Sequence, residues 1–134
     1  DHVHALGEFG VALGTAFQLV DDALDLDGDP ETTGKSACTD LREGKLTWPL
    51  IVAAEESDEI AARLAVIAAS DADIDVEVAA DLVTQIRKTS ALEDTRRQAQ
   101  HHADTAKSLL RTLPQGDATA ALATIVDAAL QRRK

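Results

Sequence analysis

The stretch from Phe17 to Asp25, read FQLVDDALD, constrains the fold of this chain more than any other. At 3.6 residues per turn, Gln18, Asp21, Asp22 and Asp25 fall within about 100° of one another on one face of a helix. The rest of the helix circumference is apolar and consists of Leu6, Phe9, Leu13, Ala16, Phe17, Leu19, Val20, Ala23 and Leu24. A helix that is apolar on nearly every other side is expected to be buried.

The three aspartates of this helix predict a metal site. Carboxylates on a buried helix are costly unless a positive group neutralises them, because burial and mutual repulsion both disfavour the charged form. No lysine or arginine lies within the helix, and carboxylate oxygens without His or Cys suit a hard ion. We therefore predict that Asp21, Asp22 and Asp25 bind Mg²⁺. The alternative, which a bare DDxxD pattern also allows, is a frayed helix end whose acidic side chains face solvent.

A long, glycine-punctuated loop is predicted over residues 32–49 after this helix, and it carries Lys35, Arg42 and Lys45. Cations close to a metal-binding carboxylate face would neutralise the remaining charge of a phosphate group. The stretch therefore predicts a site for a metal-bound phosphate compound. Solvated surface lysines are the alternative.

The rest of the chain predicts one helix after another. Thr47 is a suitable N-cap for a helix over 48–56 with Pro49 in its first turn, and further helices are expected over 59–69 and about 75–88. A long helix should follow Ser90 and run to Leu113, and Asp117 should cap a last helix whose end carries the cations of residues 132–134. With alanine and leucine dominant and very little that looks like a strand, we predict a single helical domain over 1–134.

Composition excludes several classes of protein. The net charge is −11, and residues 1–45 hold ten acidic against three basic residues, which argues against nucleic-acid binding. One cysteine, Cys38, rules out an internal disulfide framework and fits a reducing compartment. The absence of a signal peptide and of eighteen consecutive apolar residues predicts a cytoplasmic location without a membrane span.

The segments FQLVDDALD, TGK and DLREGKLTWP, at these distances, resemble the second aspartate-rich motif and following loop of the trans-isoprenyl diphosphate synthases (polyprenyl synthetases). The later TSALEDTRRQA segment and the alanine- and leucine-rich last helix resemble that family's C-terminal helices more loosely. The resemblance implies an all-α helical bundle of the isoprenoid synthase type. It also implies a prenyltransferase that condenses isopentenyl diphosphate with an allylic diphosphate.

By this resemblance, Asp21, Asp22 and Asp25 match the motif that holds Mg²⁺ against the allylic diphosphate. Mg²⁺ and lysines suit that chemistry because they stabilise the departing diphosphate, whose loss leaves an allylic carbocation for the other alkene to attack. A proton then leaves, and no side-chain nucleophile is required.

The resemblance also implies roles for residues around the motif. Lys35 and Lys45 match lysines that contact the same diphosphate, and Gln18 matches a glutamine near the developing allylic cation. Asp40 matches an acidic residue of the loop. Cys38 stands where the family usually has glycine, which affects the expected placement of Lys35.

No second DDxxD-like cluster occurs on a helix of this chain, so the resemblance is to the C-terminal half of a synthase, and we expect the chain to be inactive alone. Gly7 and Gly14 lie roughly in line with Gln18 and Asp25, which suggests close approach of another backbone or a ligand; ordinary tight helix packing is the alternative. The apolar strip beside this line predicts self-association or pairing with another synthase chain. Two other functions stay open: a class I terpene cyclase fragment, and a non-catalytic helical subunit that partners a complete synthase.

Overall fold

Every regular element in residues 1–27 and 39–132, the part of the chain that the computed structural model describes, is a helix. The all-α prediction is therefore confirmed. In chain order the helices are α1 (His2–Asp27), α2 (Thr39–Arg42), α3 (Trp48–Glu56), α4 (Asp58–Ala68), α5 (Val76–Arg87), α6 (Ala91–Leu110) and α7 (Asp117–Leu130).

Most predicted helix bounds agree with the structure within a residue or two, but one helix end and one N-cap assignment differ, and the short helix α2 lies in the segment predicted to be a loop. The long helix α6 ends at Leu110, because the Leu113 N–H donates to the Leu110 carbonyl at 3.2 Å and closes a tighter turn than an α-helix makes. The N-cap of α7 is Gly116, whereas Asp117 is already the first helical residue. The Gly116 N–H donates to the Thr119 hydroxyl oxygen at 3.0 Å, which satisfies a donor at the helix start.

The starts of α3, α4 and α5 follow from local polar residues. Thr47 occupies the predicted N-cap position of α3 with extended backbone and Pro49 follows in the first turn, but its hydroxyl makes no capping hydrogen bond within the described residues. Ser57 caps α4 by accepting a hydrogen bond from the Ile60 N–H at 3.3 Å. Asp75 caps α5 in the same way, because its carboxylate oxygen accepts a hydrogen bond from the Glu77 N–H at 2.8 Å.

The described residues form two compact units. A terminal unit contains residues 1–21 and 96–134, and a central unit contains residues 22–95, so that α1 and α6 each contribute to both. The alanine-rich core of the terminal unit consists of Phe9, Ala12, Ala16, Ala103, Ala106, Leu110, Leu113 and Val126. The core of the central unit is built on larger side chains, among them Leu26, Leu41, Leu50, Ile60, Leu82 and Ile86. The prediction of one domain over 1–134 stays a prediction.

Helix α1 has the length and apolar content of a membrane-crossing helix, and it is the one described helix that does. A core helix of a soluble protein can have the same properties. In this structure Ala12 and Ala16 of α1 are buried in the core of the terminal unit, and Leu26 is buried in the core of the central unit. The predicted absence of a membrane span stays a prediction.

Candidate metal and diphosphate site

The aspartate-rich motif lies on an uninterrupted helix. Because α1 continues from His2 to Asp27, Gln18, Asp21, Asp22 and Asp25 occupy positions i, i+3, i+4 and i+7 of one helix face. The side chain of Asp27, by contrast, lies about 180° around the helix from Gln18. The structure thus places the four predicted residues on a common face, and it leaves Asp27 as a carboxylate of the same helix outside that face.

Burial along this face is graded. Asp22 is 7% exposed, Asp21 and Asp25 are partly buried, and Gln18 is exposed. A carboxylate that is partly exposed keeps some of its hydration and can still reach an incoming cation or phosphate. Asp21 and Asp25 are therefore open to an incoming ligand, whereas the carboxylate of Asp22 is largely enclosed by the protein.

The expectation that α1 is buried on its other sides is wrong for several apolar residues between its start and Phe17. Val3 is 77% exposed and Val11 71%, and Leu6 and Phe17 are also exposed. A methyl group added at Gly7, Gly10 or Gly14 would meet no atom within 4 Å in the described part of the chain. Sequence periodicity identified an apolar helix correctly, but these side chains are not covered by the described residues.

Asp21 has an ion-pair partner that the sequence did not reveal. Nη1 of Arg132 lies 3.2 Å from Oδ1 of Asp21, and the guanidinium carbon lies 4.3 Å from the centre of the Phe17 ring. The sequence placed this cation near the end of the last helix, but α7 ends at Leu130 and Arg132 instead contacts the motif. No spacing rule relates two residues so far apart in the chain, so only the tertiary structure could show the pair.

A second contact missed by the sequence stabilises the end of α1 directly after the motif. Nε of Arg87 donates a hydrogen bond to the carbonyl oxygen of the buried Leu26 at 2.7 Å. The last carbonyls of a helix lack intrahelical donors, and a cation there also interacts favourably with the helix dipole. Arg87, at the end of α5, thus supports the helical conformation of the segment that carries Asp25.

The turn before α3 places Lys45. Gly44 has φ +72°, a left-handed conformation that favours glycine, and its N–H donates to the carbonyl of the buried Leu41 at 3.1 Å. Nζ of Lys45 lies 2.9 Å from a carboxylate oxygen of Glu43, and both side chains are more than half exposed. An exposed pair of this kind contributes little to stability, so the ammonium group can exchange partners.

Other predicted residues are not described. Lys35 and Cys38 lie outside the described residues, and so does the side chain of Asp40. Their predicted roles stay predictions.

The donor set on α1 fits Mg²⁺ by its chemistry, although the carboxylates are not gathered around one point. Among the described residues no group of three His, Cys, Asp or Glu side chains is arranged to hold a metal ion. Mg²⁺ is usually bound through one or two carboxylates, with waters and substrate phosphates completing its octahedron. Asp21, Asp22 and Asp25 suit that mode, in which a phosphate ligand supplies the oxygens that the protein does not.

Comparison with known proteins decides the family. The sequence model of the polyprenyl synthetase family matches residues 1–86, a range that includes the aspartate-rich motif and the Gly44–Lys45 turn. The chain belongs to the polyprenyl synthetase family. The resemblance noted from FQLVDDALD and the following segments is thereby confirmed.

Several relatives of this polyprenyl synthetase chain are similar over nearly all of it. Nonaprenyl diphosphate synthase of Mycobacterium tuberculosis is 33% identical over 132 residues, which are 98% of this chain and 39% of the relative. Decaprenyl-diphosphate synthase subunit 1 of Schizosaccharomyces pombe is 35% identical over 130 residues, which are 97% of this chain and 33% of the relative.

A solved structure supports the same assignment. Polyprenyl synthase from Caulobacter crescentus, crystallised with calcium and isoprenyl diphosphate, is 38% identical with a TM-score of 0.73, over 98% of this chain and 40% of that one. This polyprenyl synthetase chain thus spans about a third to two fifths of the length of the relatives that it matches, and its fold is similar to the corresponding part of the Caulobacter crescentus structure.

Proposed function

We propose that this chain provides the metal- and allylic-diphosphate-binding half of a prenyl diphosphate synthase site. The reaction would be the Mg²⁺-dependent condensation of isopentenyl diphosphate with an allylic diphosphate. The observation that carries the proposal is one face of α1, on which the partly exposed carboxylates of Asp21 and Asp25 and the buried carboxylate of Asp22 follow the exposed amide of Gln18. The calcium and isoprenyl diphosphate named for the Caulobacter crescentus relative support a divalent cation and a diphosphate as ligands.

The residues of α1 divide the work in this proposal. Asp21, Asp22 and Asp25 would hold Mg²⁺, which when bound neutralises the charge that accumulates on a departing diphosphate. Gln18 can turn its amide oxygen, the negative end of a dipole, toward the electron-poor allylic carbon. Ionised carboxylates accept hydrogen bonds but donate none. They therefore bind cations and do not compete with other donors for the diphosphate oxygens.

Lys45 would bind the diphosphate directly. Its ammonium group is exposed and paired with Glu43 across a solvent-accessible 2.9 Å contact, which a diphosphate oxygen with its higher charge can replace. The left-handed turn at Gly44 keeps Lys45 close to the start of α3. Lys35 is proposed as a second diphosphate ligand on the strength of its position in the family motif.

The family match favours a prenyltransferase over a class I terpene cyclase. A non-catalytic partner subunit is the second candidate, and the exposed apolar strip of α1 favours pairing with another chain. The relative named as subunit 1 of a decaprenyl-diphosphate synthase is consistent with such pairing. However, a purely structural subunit has no use for three carboxylates on one helix face.

Isothermal titration calorimetry with Mg²⁺ and pyrophosphate tests the metal site. The unmodified chain should bind Mg²⁺ weakly alone and more tightly with pyrophosphate, whereas Asp21→Ala/Asp25→Ala should lose most of this binding. Asp27→Ala is the matched control, because it removes a carboxylate from the same helix on the opposite side. Equal heats for the unmodified chain and the double variant would refute the site.

The condensation assay tests the division of the active site. Half a site cannot orient both substrates, and orientation alone can supply about 7–11 kcal/mol of barrier lowering, so the chain by itself should show almost no turnover. Incorporation of radiolabelled isopentenyl diphosphate should appear when an N-terminal half of a synthase is added. Robust turnover by the 134-residue chain alone would show instead that it assembles a complete site by oligomerising.

A further inference from the structure

The proposed metal site contains a cation that belongs to the chain itself. Arg132, two residues beyond the end of α7, lies against α1 with Nη1 3.2 Å from Oδ1 of Asp21. Both side chains are partly exposed, 31% for Arg132 and 43% for Asp21. An aspartate that is expected to bind Mg²⁺ is thus already paired.

Two contacts hold Arg132, and they differ in kind. Its guanidinium carbon lies 4.3 Å from the centre of the Phe17 ring, a cation–π arrangement that needs no particular hydrogen-bond direction. Phe17 precedes Asp21 by four residues, so both partners lie on the same side of α1, one turn apart. The aromatic ring therefore keeps the guanidinium group beside the motif whether or not Asp21 remains paired.

The contact with Asp21 is an ion pair without a hydrogen bond. Nη1 of Arg132 is screened from solvent, yet no acceptor in the described part of the chain lies in line with its N–H groups. A charge-assisted hydrogen bond would be the stronger form of this contact, and it is missing. Asp21 can therefore leave Arg132 at low cost, and Nη1 retains an unused donor for an acceptor that arrives with a ligand.

These contacts predict different responses to a metal ion and to a diphosphate. Mg²⁺ alone must displace Arg132 from Asp21 and then remain close to its positive charge, which opposes binding. A diphosphate carries negative oxygens that match the unused guanidinium donors, and so it removes that opposition.

We propose that Arg132 is an internal counter-ion that occupies Asp21 in the absence of diphosphate and so makes Mg²⁺ binding conditional on the diphosphate. This inference rests on the proposed function, since it assigns regulation to the same site. Arg132 is a positioning residue in this scheme, because it acts through Asp21. Since coupling between two ligands is reciprocal, Mg²⁺ should strengthen pyrophosphate binding by the same factor.

The experiment compares Mg²⁺ affinities of the unmodified chain and Arg132→Gln by calorimetry, with and without saturating pyrophosphate. A partly exposed ion pair contributes about 0.2–1 kcal/mol, so Arg132→Gln should bind Mg²⁺ alone about 1.5- to 5-fold more tightly. The strengthening of Mg²⁺ binding by pyrophosphate should decrease by at least that factor. Arg132→Lys, which keeps the charge without the planar group, should be intermediate.

Two controls separate this effect from a general change in charge or folding. Arg111→Gln removes an exposed arginine from the same unit and should leave the Mg²⁺ affinity nearly unchanged. In an Asp21→Asn background, the gain from Arg132→Gln should be smaller than in the unmodified chain, because no ion pair is left to displace and only the nearby positive charge is removed. Circular dichroism should show the same helix content for all variants.

The two proposals fail differently. Unchanged or weaker Mg²⁺ binding by Arg132→Gln, with normal binding by the unmodified chain, would refute the counter-ion and leave the metal site standing. If no protein binds Mg²⁺ with or without pyrophosphate, Arg132→Gln included, both proposals are refuted. An equal gain in Arg111→Gln would assign the effect to net charge and would also refute the counter-ion.

Discussion

Replacing Gly7 and Gly14 by alanine should stabilise the isolated chain. Both glycines lie inside α1, and neither has the left-handed backbone that would require glycine. A methyl group at either position would meet no atom within 4 Å in the described part of the chain, so the substitution adds no clash. The remaining effect is the helix propensity of alanine, which favours the helix by about 1 kcal/mol at each position.

The gain should be visible in urea denaturation followed by circular dichroism. With about 2 kcal/mol for the double variant and a denaturant slope of about 1–3 kcal/mol per molar, the midpoint should rise by about 1 M. Ser108→Ala, at an exposed position inside α6, is the control for a gain in helix propensity away from α1. It should also stabilise the chain, by a smaller amount. Destabilisation of the double variant would refute the reasoning, because it would show that part of this chain packs against the glycines.

The same substitution should weaken pairing with the rest of a synthase. If another helix approaches α1 along Gly7 and Gly14, two added methyl groups overpack that contact and should cost about 1–3 kcal/mol of association free energy. Light scattering and the condensation assay on mixtures with an N-terminal half measure this loss, with Ser108→Ala again as the control. Unchanged association would place the partner elsewhere on the chain.

Three further outcomes are expected. Gly44→Ala should cost about 1–2 kcal/mol in urea denaturation because φ is +72°, and Gly44→Asn should recover part of it; unchanged stability would contradict the left-handed turn. Hydrogen bonds from the Ser90 hydroxyl, and then from its N–H, lower the pKa of Glu56 below the ordinary value of a glutamate. Their stabilisation is therefore fully present above that ordinary pKa and is lost as the pH falls through the lowered pKa. Glu56→Gln should therefore flatten the acid side of the stability profile, and Glu55→Gln, the control on the neighbouring exposed carboxylate, should not. Lys45→Ala should weaken pyrophosphate binding by about 1–3 kcal/mol in calorimetry, with stability changed by no more than about 0.5 kcal/mol; a large stability loss with unaltered binding would make Lys45 structural.

Local pattern was sufficient to predict the helices and the shared face of the motif. The period of apolar residues identifies α1 and places Gln18, Asp21, Asp22 and Asp25 together, because residues three, four and seven apart share a side of any α-helix. The breakers at residues 28–30 and 114–116 marked the limits of elements for the same local reason. The helix end at Leu110 was missed, since a tightened last turn depends on how the segment leaves the helix.

The residues of the motif were also sufficient to predict the class of metal ion and the protein family. Oxygen-only donors on one helix face predict a hard cation, and the spacing of DDxxD from the later Gly-Lys pairs resembled the family whose model matches residues 1–86. Calorimetry on the substituted chains tests the role of each residue directly, because the described side chains are not gathered around a metal position.

Only the tertiary structure shows which residues surround the aspartate-bearing face of α1. The sequence showed no cation within α1, but Arg132 reaches Asp21 and Arg87 reaches the end of α1 at Leu26, from parts of the chain that no local period connects to the motif. The exposure of Val11 and the open space at Gly14 likewise depend on which helices are present to cover α1. Periodicity reports which face of a helix is apolar, whereas contacts between distant segments are set by how whole helices pack, and so the partners of the motif could be found only in three dimensions.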